Sequence, residues 1–233
     1  MSPIRVMLVD DQHLLRAGFA MLIGSQPDMQ VSAEAGDGAR AVELIREQPV
    51  DVILMDVRMP IIDGISATRR ILAMVDSGEI PALHIVVLTT FDTDEYAFEA
   101  LKAGAAGFLL KDVPPETLLA SIRQVHKGGS VIAPTTTRRL LDHVGPMLEA
   151  SGPGEAPRDR AARAGLTSRE TDILLAMATG ESNGEIAGRL YLSEATVKTH
   201  VRRILAKLDA RDRVQAVVWA YEHGVAGPGT GED

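Results

Sequence analysis

Apolar residues in the first half of the chain form short continuous runs that alternate with runs spaced three or four residues apart. The continuous runs, typical of strands buried in a parallel sheet, cover residues 4–9, 50–55, 84–89 and 107–110, with a weaker one at 30–35. The spaced runs, typical of helices with one apolar face, cover residues 14–25, 38–47, 64–75, 95–103 and 115–127. This alternation predicts an α/β fold, a doubly wound five-stranded parallel sheet in the order 2-1-3-4-5.

The second half of the chain is predicted to be all helical. Two capping boxes, Thr167 with Glu170 and Ser182 with Glu185, mark helix starts, and Ser193 can cap a third helix that runs to about residue 208. A fourth helix covers about residues 211–223. A short second helix, a tight turn and a basic third helix are the layout of a helix-turn-helix.

Gly and Pro separate the two halves and set the domain boundaries. The sequence predicts an α/β domain at 1–128, a linker at 129–164 with one short helix at 136–148, an all-α four-helix domain at 165–226 and a flexible tail at 227–233. The linker is long and rich in Gly and Pro.

Composition and charge narrow the function classes. The absence of cysteine excludes disulfides, thiol catalysis and cysteine-based metal sites. No apolar run is long enough to span a membrane and no signal peptide is visible, so we expect a cytoplasmic chain without a membrane partner. The net charge is -8, with 11 Lys and Arg against 18 Asp and Glu in residues 1–130, but eight of each in residues 165–224. Basic residues gather in the predicted third helix, which favours a nucleic-acid contact there.

Acidic residues and a lysine follow three of the predicted strands. Asp10 and Asp11 end the first run, Asp56 ends the third and Lys111 ends the fifth. Because the carboxyl ends of parallel strands meet at one edge of a sheet, these side chains are expected in one pocket. Three carboxylates favour a hard divalent ion such as Mg²⁺, with which Asp56 can attack a phosphoryl group while Lys111 neutralises charge and Thr89 offers a hydroxyl. No nucleotide-binding P-loop is present, so the pocket accepts phosphate.

These residues, taken together in their order and spacing, resemble those of two-component response regulators of the NarL/FixJ type, which join a receiver domain to a LuxR-type helix-turn-helix. The matching segments in the first half are residues 9–11, 55–60, 63–64, 88–92 and 103–111. Those in the second half are residues 166–170, 182–187 and 193–201.

The resemblance implies that Asp56 accepts a phosphoryl group from a sensor histidine kinase. The other implied receiver roles are Mg²⁺ binding by Asp10, Asp11, Asp56 and the backbone carbonyl of Arg58, phosphate contact by Lys111, and a conformational switch by Thr89 and Phe108. Phosphorylation is then expected to reshape the receiver surface by a local change of charge and packing.

The resemblance also implies that the chain binds double-stranded DNA and forms a homodimer on phosphorylation. The implied base-reading residues are Lys198, Thr199 and Arg202, the implied phosphate contacts are Arg203 and Lys207, and Thr196 and His200 fit either class. The implied dimer contacts are Val214, Val217, Val218 and Tyr221, an apolar stripe for which a purely core role is the alternative. The apolar face of the same basic helix is expected to be core.

Two alternatives and one departure from the family pattern stay open at this stage. A regulator whose degenerate receiver controls nothing would bind DNA without phosphorylation. A phosphohydrolase using an aspartyl phosphate is disfavoured because its second acid would stand two residues after Asp56, where this chain has Arg58, so we predict that the chain is not an enzyme. Asp209 occupies a position after the basic helix where the family usually has Gly, and Asp tolerates the left-handed turn expected there.

Overall fold

The computed structural model describes residues 2–89, 99–128, 131–132 and 156–226. The chain divides into two compact units, Met1–Val131 and Ile132–Asp233. Each unit is considered by itself below. Within the described part of the chain, no helix combines the length and the apolar character needed to cross a membrane.

The first unit is a parallel sheet with helices between its strands. Its strands are β1 (Ile4–Val9), β2 (Met29–Ala35), β3 (Val52–Asp56), β4 (His84–Thr89) and β5 (Gly107–Leu110), and the strand β6 (Val131–Ile132) falls at the boundary of the two units. Its helices are α1 (His13–Gly24), α2 (Gly38–Glu47), α3 (Gly64–Asp76) and α4 (Pro115–His126). The sheet order is β2-β1-β3-β4-β5-β6, which confirms the predicted order 2-1-3-4-5 and adds the two-residue strand β6 at one edge. Residues 99–102 are helical, and the rest of the helix predicted at 95–103 lies largely outside the described residues.

Burial explains why the central strands have few polar residues. All five residues of β3 are buried, because helices cover both faces of a doubly wound sheet. One apolar cluster joins alternate residues of β1, β3 and β4 to Ile23 of α1 and to Leu118, Ile122 and Val125 of α4. Asp56 is therefore held by a strand that is fixed on both faces, and it ends that strand at the carboxyl edge of the sheet.

The second unit is helical among its described residues, with helices α5 (Pro157–Arg163), α6 (Ser168–Ala178), α7 (Asn183–Arg189), α8 (Glu194–Leu208) and α9 (Arg213–Glu222). Both predicted capping boxes form, at Thr167 with Glu170 and at Ser182 with Glu185. Ser193 caps α8 and Asp212 caps α9 through backbone N–H groups three residues further on. The four predicted helices are thus present, with limits within about two residues of those expected.

Helix α5 lies within the segment that the sequence predicted as linker. Its residue Ala161 is fully buried in the core of the second unit, and Arg160 donates a hydrogen bond of 3.0 Å to the carbonyl of Gly224. The sequence does not predict α5, because one small alanine and an arginine make its contacts with the core and the helix has no apolar stripe. Pro157 at the first helical position was the available signal. The linker helix predicted at 136–148 lies outside the described residues.

The basic helix α8 ends as the sequence suggested. Asp209 has φ 50° and ψ 36°, in the left-handed region, and its N–H donates to the carbonyl of Leu205. On the apolar face Val197 and Ile204 are buried, whereas Val201, Leu205 and Leu208 are partly buried against the same core. This face fixes α8 on the domain and leaves the opposite face exposed.

Candidate functional site

The carboxyl ends of β1 and β3 bring three acidic side chains together. Asp10 and Asp56 are buried, whereas Asp11 is exposed. One carboxylate oxygen from each of the three lies within 4.8 Å of the others. The closeness follows from the direct pairing of β1 with β3, in which Val9 is opposite Met55. Such a set of oxygen atoms is suited to a hard divalent cation.

Lys111 stands just beyond β5 and reaches both buried acids. Its Nζ lies 2.8 Å from Asp10 Oδ2 and 2.8 Å from Asp56 Oδ2. Burial alone lowers the pKa of Lys111, but its contacts with the two carboxylates outweigh burial and raise that pKa overall. For Asp56, burial raises the pKa, and Lys111 opposes this without cancelling it. The lysine is therefore a fixed positive charge beside a carboxylate that holds its proton more tightly than usual.

Backbone groups fix the orientation of the two buried carboxylates. The N–H of Gln12 donates to Asp10 Oδ1 at 2.8 Å, and the N–H of Arg58 donates to the Asp56 carboxylate. Gly64 begins α3 directly against Asp56, so that a Cβ at this position would lie 1.9 Å from the Asp56 carbonyl oxygen. Only glycine allows α3 to approach the end of β3 this closely.

A cavity of about 280 Å³ opens above these groups and is lined by Asp11, Gln12, Asp56, Arg58, Thr89 and Lys111. Asp10 Oδ2 is fully buried and lies 2.8 Å from the ammonium group of Lys111. This one lysine serves both buried carboxylates, so the group of three acids keeps an excess of negative charge. The oxygen atoms of the three acids fit a divalent metal ion, which would offset that excess.

In the second unit, α8 presents a basic surface opposite its apolar face. Lys198, Thr199, Arg202 and Arg203 are exposed. Among the described residues neither arginine forms an ion pair, and the pair of Lys198 with Glu194, at 2.8 Å, is more than half exposed. Exposed pairs of this kind contribute little free energy, so the lysine can exchange its partner for a nucleic acid.

Comparison with known proteins agrees with both halves of this arrangement. The family model described as "Response regulator receiver domain" matches residues 6–123, and the one described as "Bacterial regulatory proteins, luxR family" matches residues 164–220. The transcriptional regulatory protein YxjL of Bacillus subtilis (strain 168) is 44% identical, over 95% of this chain and 97% of its own.

Two further comparisons extend the same result. The nitrate/nitrite response regulator protein NarP of Escherichia coli (strain K12) is 39% identical over 93% of this chain and 94% of its own. A solved structure of a LuxR-family two-component response regulator from Aurantimonas sp. SI85-9A1 is 32% identical. It covers 61% of this chain and 98% of that chain, with a TM-score of 0.55.

The chain belongs to the response regulators with a LuxR-type DNA-binding domain. It is a receiver joined to a helix-turn-helix, the arrangement of transcriptional regulators for which control by phosphorylation is typical. These two domain types indicate a kinase partner and DNA binding.

The receiver pocket brings together the residues that the sequence singled out there. Thr89 is buried and lines the cavity with Asp56 and Lys111. Arg58 lines the same cavity, as expected if its backbone takes part in metal binding. Phe108 is buried on β5, beside Val87 of β4. Residues 90–92 of the matching segment 88–92 lie outside the described residues.

Two of the predicted DNA-contact side chains interact within their own helix. Thr196 has its hydroxyl 2.7 Å from that of Ser193 at the start of α8, and Thr199 donates to the carbonyl of Ala195 at 3.0 Å. His200 is half-buried, and its Nδ1 is buried without a hydrogen-bond partner among the described residues. These three stay predictions as DNA contacts.

Lys207 forms an ion pair within its own domain, and its role as a DNA phosphate contact stays a prediction. Its Nζ lies 2.6 Å from Oε2 of Glu170, whose side chain is only 3% exposed. The same carboxylate accepts hydrogen bonds from the backbone N–H and the hydroxyl of Thr167. If Lys207 moved towards a DNA phosphate, the buried Glu170 carboxylate would lose its ion pair and keep only the hydrogen bonds from Thr167, which is unfavourable. The basic stripe of α8 is visible in the sequence, but the pairing of its last member, Lys207, with the capping-box residue Glu170 is not.

The residues of the predicted dimer contact on α9 are buried within the single chain. Val214, Val217, Val218 and Tyr221 are all buried, between 0% and 7% exposed. Val217 and Tyr221 belong to the core of the second unit, and the Tyr221 hydroxyl donates to the carbonyl of Ala178. Much of this apolar stripe is therefore core in the single chain, and its role as a dimer contact stays a prediction.

Three residues shape the receiver pocket without having been assigned a role from the sequence, although Gly64 lies in the matching segment 63–64. Gln12 lines the cavity and Gly64 permits the approach of α3, while Arg16 contacts the carbonyl of Asp10 from α1. The position of Gln12, directly after the acid pair, was a usable signal. The roles of Gly64 and Arg16 depend on contacts between separate elements, for which the linear pattern carries no sign.

Proposed function

We propose that this response regulator accepts a phosphoryl group on Asp56 in a Mg²⁺-dependent reaction and that this modification controls DNA binding by α8. The observation that carries the proposal is the buried Asp56 carboxylate, held 2.8 Å from Lys111 and within 4.8 Å of the ligand atoms of Asp10 and Asp11. Phosphoryl transfer requires that the reacting groups are positioned and that the developing charge is stabilised. Fixed charges of both signs around one carboxylate in an open cavity meet this requirement.

The proposed donor is the phosphohistidine of a sensor histidine kinase. A carboxylate oxygen of Asp56 attacks phosphorus, a new O–P bond forms, and the P–N bond of the donor breaks and returns its electron pair to the imidazole. Mg²⁺, when bound by Asp10, Asp11, Asp56 and the backbone carbonyl of Arg58, supplies positive charge to the phosphoryl oxygens. Lys111 is already placed to neutralise the charge that develops beside Asp56.

The proposed switch uses two buried residues of neighbouring strands. Thr89 lines the cavity and carries a hydroxyl that can move towards a phosphoryl oxygen on Asp56. Phe108 would then rotate into the space that the threonine vacates. To move an equilibrium from mostly inactive to mostly active, the phosphoryl group must favour one state by roughly 5 kcal/mol.

The proposed output is specific binding of double-stranded DNA by a homodimer. Lys198, Thr199 and Arg202 are assigned to base edges in the major groove, and Arg203 to a phosphate, since all four side chains are exposed on one side of α8. The proposed target is chromosomal DNA, so the activity would be cytoplasmic.

Wild type and Asp56→Asn, each with Mg²⁺ and with or without acetyl phosphate, test the whole proposal. Intact mass reports the added phosphoryl group, light scattering reports association, and titration with selected DNA reports affinity. We expect only wild type with acetyl phosphate to gain the phosphoryl mass, to dimerise and to bind DNA more tightly. Labelling of Asp56→Asn would remove Asp56 from the mechanism. Equal DNA affinity and equal mass in all four samples would favour the alternative of a receiver that does not control output.

A further inference from the structure

Arg16 of α1 contacts the backbone of the acid pair. Its Nη1 donates a hydrogen bond to the carbonyl oxygen of Asp10, and its Nε lies 3.1 Å from Oε2 of Glu34 on β2. The arginine side chain is only 15% exposed, whereas that of Glu34 is 46% exposed. The guanidinium also covers Gly36, where a Cβ would lie 3.9 Å from Nη1. Arg16 thus bridges the loop after β1 and the end of β2.

The position of Asp11 depends on the Arg16 bridge more than the positions of Asp10 and Asp56 do. Asp10 and Asp56 are buried and held by Lys111, but Asp11 is exposed and none of its carboxylate contacts is with that lysine. Its carboxylate is therefore aimed mainly by the backbone of residues 10–12. Backbone hydrogen bonds hold the ends of this segment, from the Asp10 N–H to the Ala35 carbonyl and from the Arg16 N–H to the Gln12 carbonyl. The Gln12 N–H also donates to the Asp10 carboxylate, and the Arg16 guanidinium is the side-chain donor to the carbonyl of the Asp10–Asp11 peptide.

We infer that Arg16 is a positioning residue that sets the affinity of the acid pair for a divalent cation by holding the Asp10–Asp11 peptide in the geometry that metal binding requires. The inference rests on the Mg²⁺ site of the proposed function. Groups that orient metal ligands from outside the coordination sphere typically change metal affinity 10-fold to 100-fold when they are removed. Glu34 contributes by orienting the guanidinium, and because it is half-exposed its own effect is smaller.

The charge and the position of Arg16 act in opposite directions, which makes the inference testable. A positive charge close to a cation site weakens metal binding, so if only charge matters, Arg16→Gln tightens binding and Arg16→Lys leaves it unchanged. If position matters, both variants weaken binding, because neither side chain can donate to Asp10 and Glu34 in the geometry of the guanidinium fork.

The experiment is a titration of the full chain with Mg²⁺, followed by amide chemical shifts around the cavity, on wild type, Arg16→Gln, Arg16→Lys and Glu34→Gln. Arg40→Gln is the matched control, since Arg40 forms an exposed pair with Glu43 at 2.9 Å on α2. We expect the Mg²⁺ dissociation constant to rise about tenfold for both Arg16 variants and by less for Glu34→Gln, with little change for Arg40→Gln. We also expect both Arg16 variants to be labelled by acetyl phosphate at the wild-type rate when Mg²⁺ is saturating.

Several outcomes would overturn the inference. An unchanged or lower dissociation constant for Arg16→Lys and Arg16→Gln would do so, and so would a labelling rate that stays low at saturating Mg²⁺. If Arg16→Gln does not fold, Arg16→Lys and Glu34→Gln decide by the same criteria. A wild-type chain that shows no saturable Mg²⁺ binding would instead contradict the proposed metal site itself, which separates the two failures.

Discussion

At the scale of single residues, two buried carboxylates have pKa values displaced in opposite directions. Burial raises the pKa of Asp56, and one lysine shared with Asp10 does not reverse the effect. Burial acts on Glu170 in the same sense, but hydrogen bonds from Lys207 and Thr167 outweigh it and lower the pKa to about 2. Asp56 is consequently a more basic group in an open cavity, as suits a phosphoryl acceptor, whereas Glu170 is a stabilising group.

The first residue-scale prediction concerns pH and Glu170. Since the folded-state pKa lies below the unfolded value of 4.5, the carboxylate stabilises the second unit above about pH 4.5, and this stabilisation is lost as the pH falls towards 2. We expect Glu170→Gln to lower the free energy of unfolding by roughly 3 kcal/mol at pH 7 and by little near pH 2. Denaturant titrations followed by the fluorescence of the single tryptophan, Trp219, would measure this.

Glu185→Gln is the control for that measurement, because Glu185 occupies the same capping-box position on α7 but is exposed. Its effect should be much smaller. A pH-independent difference between wild type and Glu170→Gln would show that the carboxylate charge is not responsible.

The second residue-scale prediction concerns Gly64. A Cβ there would overlap the carbonyl oxygen of Asp56, so Gly64→Ala must displace either α3 or the end of β3. We expect a loss of roughly 3 kcal/mol in the free energy of unfolding of the receiver and a strong reduction in acetyl phosphate labelling. Circular dichroism and intact mass would report the two effects. Normal labelling of Gly64→Ala would contradict the argument.

Gly18→Ala in α1 is the control, because nothing lies within 4 Å of the added carbon. It should instead raise the free energy of unfolding by about 0.5–1 kcal/mol.

At the scale of elements, α8 combines a support and a reading surface. Ser193 caps its start and the left-handed Asp209 ends it, while Lys207 ties its last turn to Glu170 of α6. Arg202 and Arg203 lie in the middle of the helix and stay exposed. The helix thus has fixed ends, and its free basic side chains lie between them. Rigid presentation of a few exposed side chains is the requirement for reading base edges.

The element-scale prediction separates phosphate contact from support. The logarithm of DNA affinity falls as the logarithm of the salt concentration rises. Removing one phosphate contact makes this slope less steep by about one unit. We expect this reduction for Arg203→Ala on both specific and random DNA. Lys207→Ala should leave the slope unchanged and lower the free energy of unfolding instead, since it strands the buried Glu170 carboxylate. Equal changes of slope in the two variants would instead show that Lys207 contacts a phosphate, as the family resemblance implies.

At the scale of the whole molecule, the two units differ in charge and in the type of core. Residues 1–130 have an excess of acidic residues, which suits a cation site and not a nucleic-acid surface, whereas residues 165–224 carry equal numbers of acidic and basic residues. The second unit has its own apolar cluster, which joins α6, α7, α8 and α9 and includes Ala161 of α5. The core of the second unit therefore extends to a helix that precedes the family match at residue 164.

The prediction at this scale is that residues 156–226 fold alone and that α5 is part of the folding unit. A chain of residues 165–226 lacks the buried Ala161 and the hydrogen bond from Arg160 to Gly224. We expect its free energy of unfolding to be about 2 kcal/mol lower than that of residues 156–226, again from Trp219 fluorescence. Arg160→Gln in the longer chain should reproduce most of this loss. Equal free energies of unfolding for the two fragments would show that α5 does not contribute to the stability of the second unit.

The sequence by itself determined the features that depend on local pattern. Alternation of apolar runs and amphipathic segments predicted the five-stranded sheet, because a strand buried on both faces must be apolar throughout. Capping boxes predicted the starts of α6 and α7, because the hydrogen bonds that form them join residues three apart. The rule that parallel strands end at one edge predicted that Asp10, Asp56 and Lys111 meet.

The tertiary structure decided which of the remaining side chains have partners. Lys207 pairs with Glu170, 37 residues away, and Val217 and Tyr221 of α9 pack in the core of the second unit. Gly64 and Arg16 act across element boundaries in the same way. A sequence shows which hydrogen bonds and caps a residue can form within about one turn of helix. What lies opposite it across a packed interface is set by the fold, and that contact decides whether a charge or an apolar face is free to function.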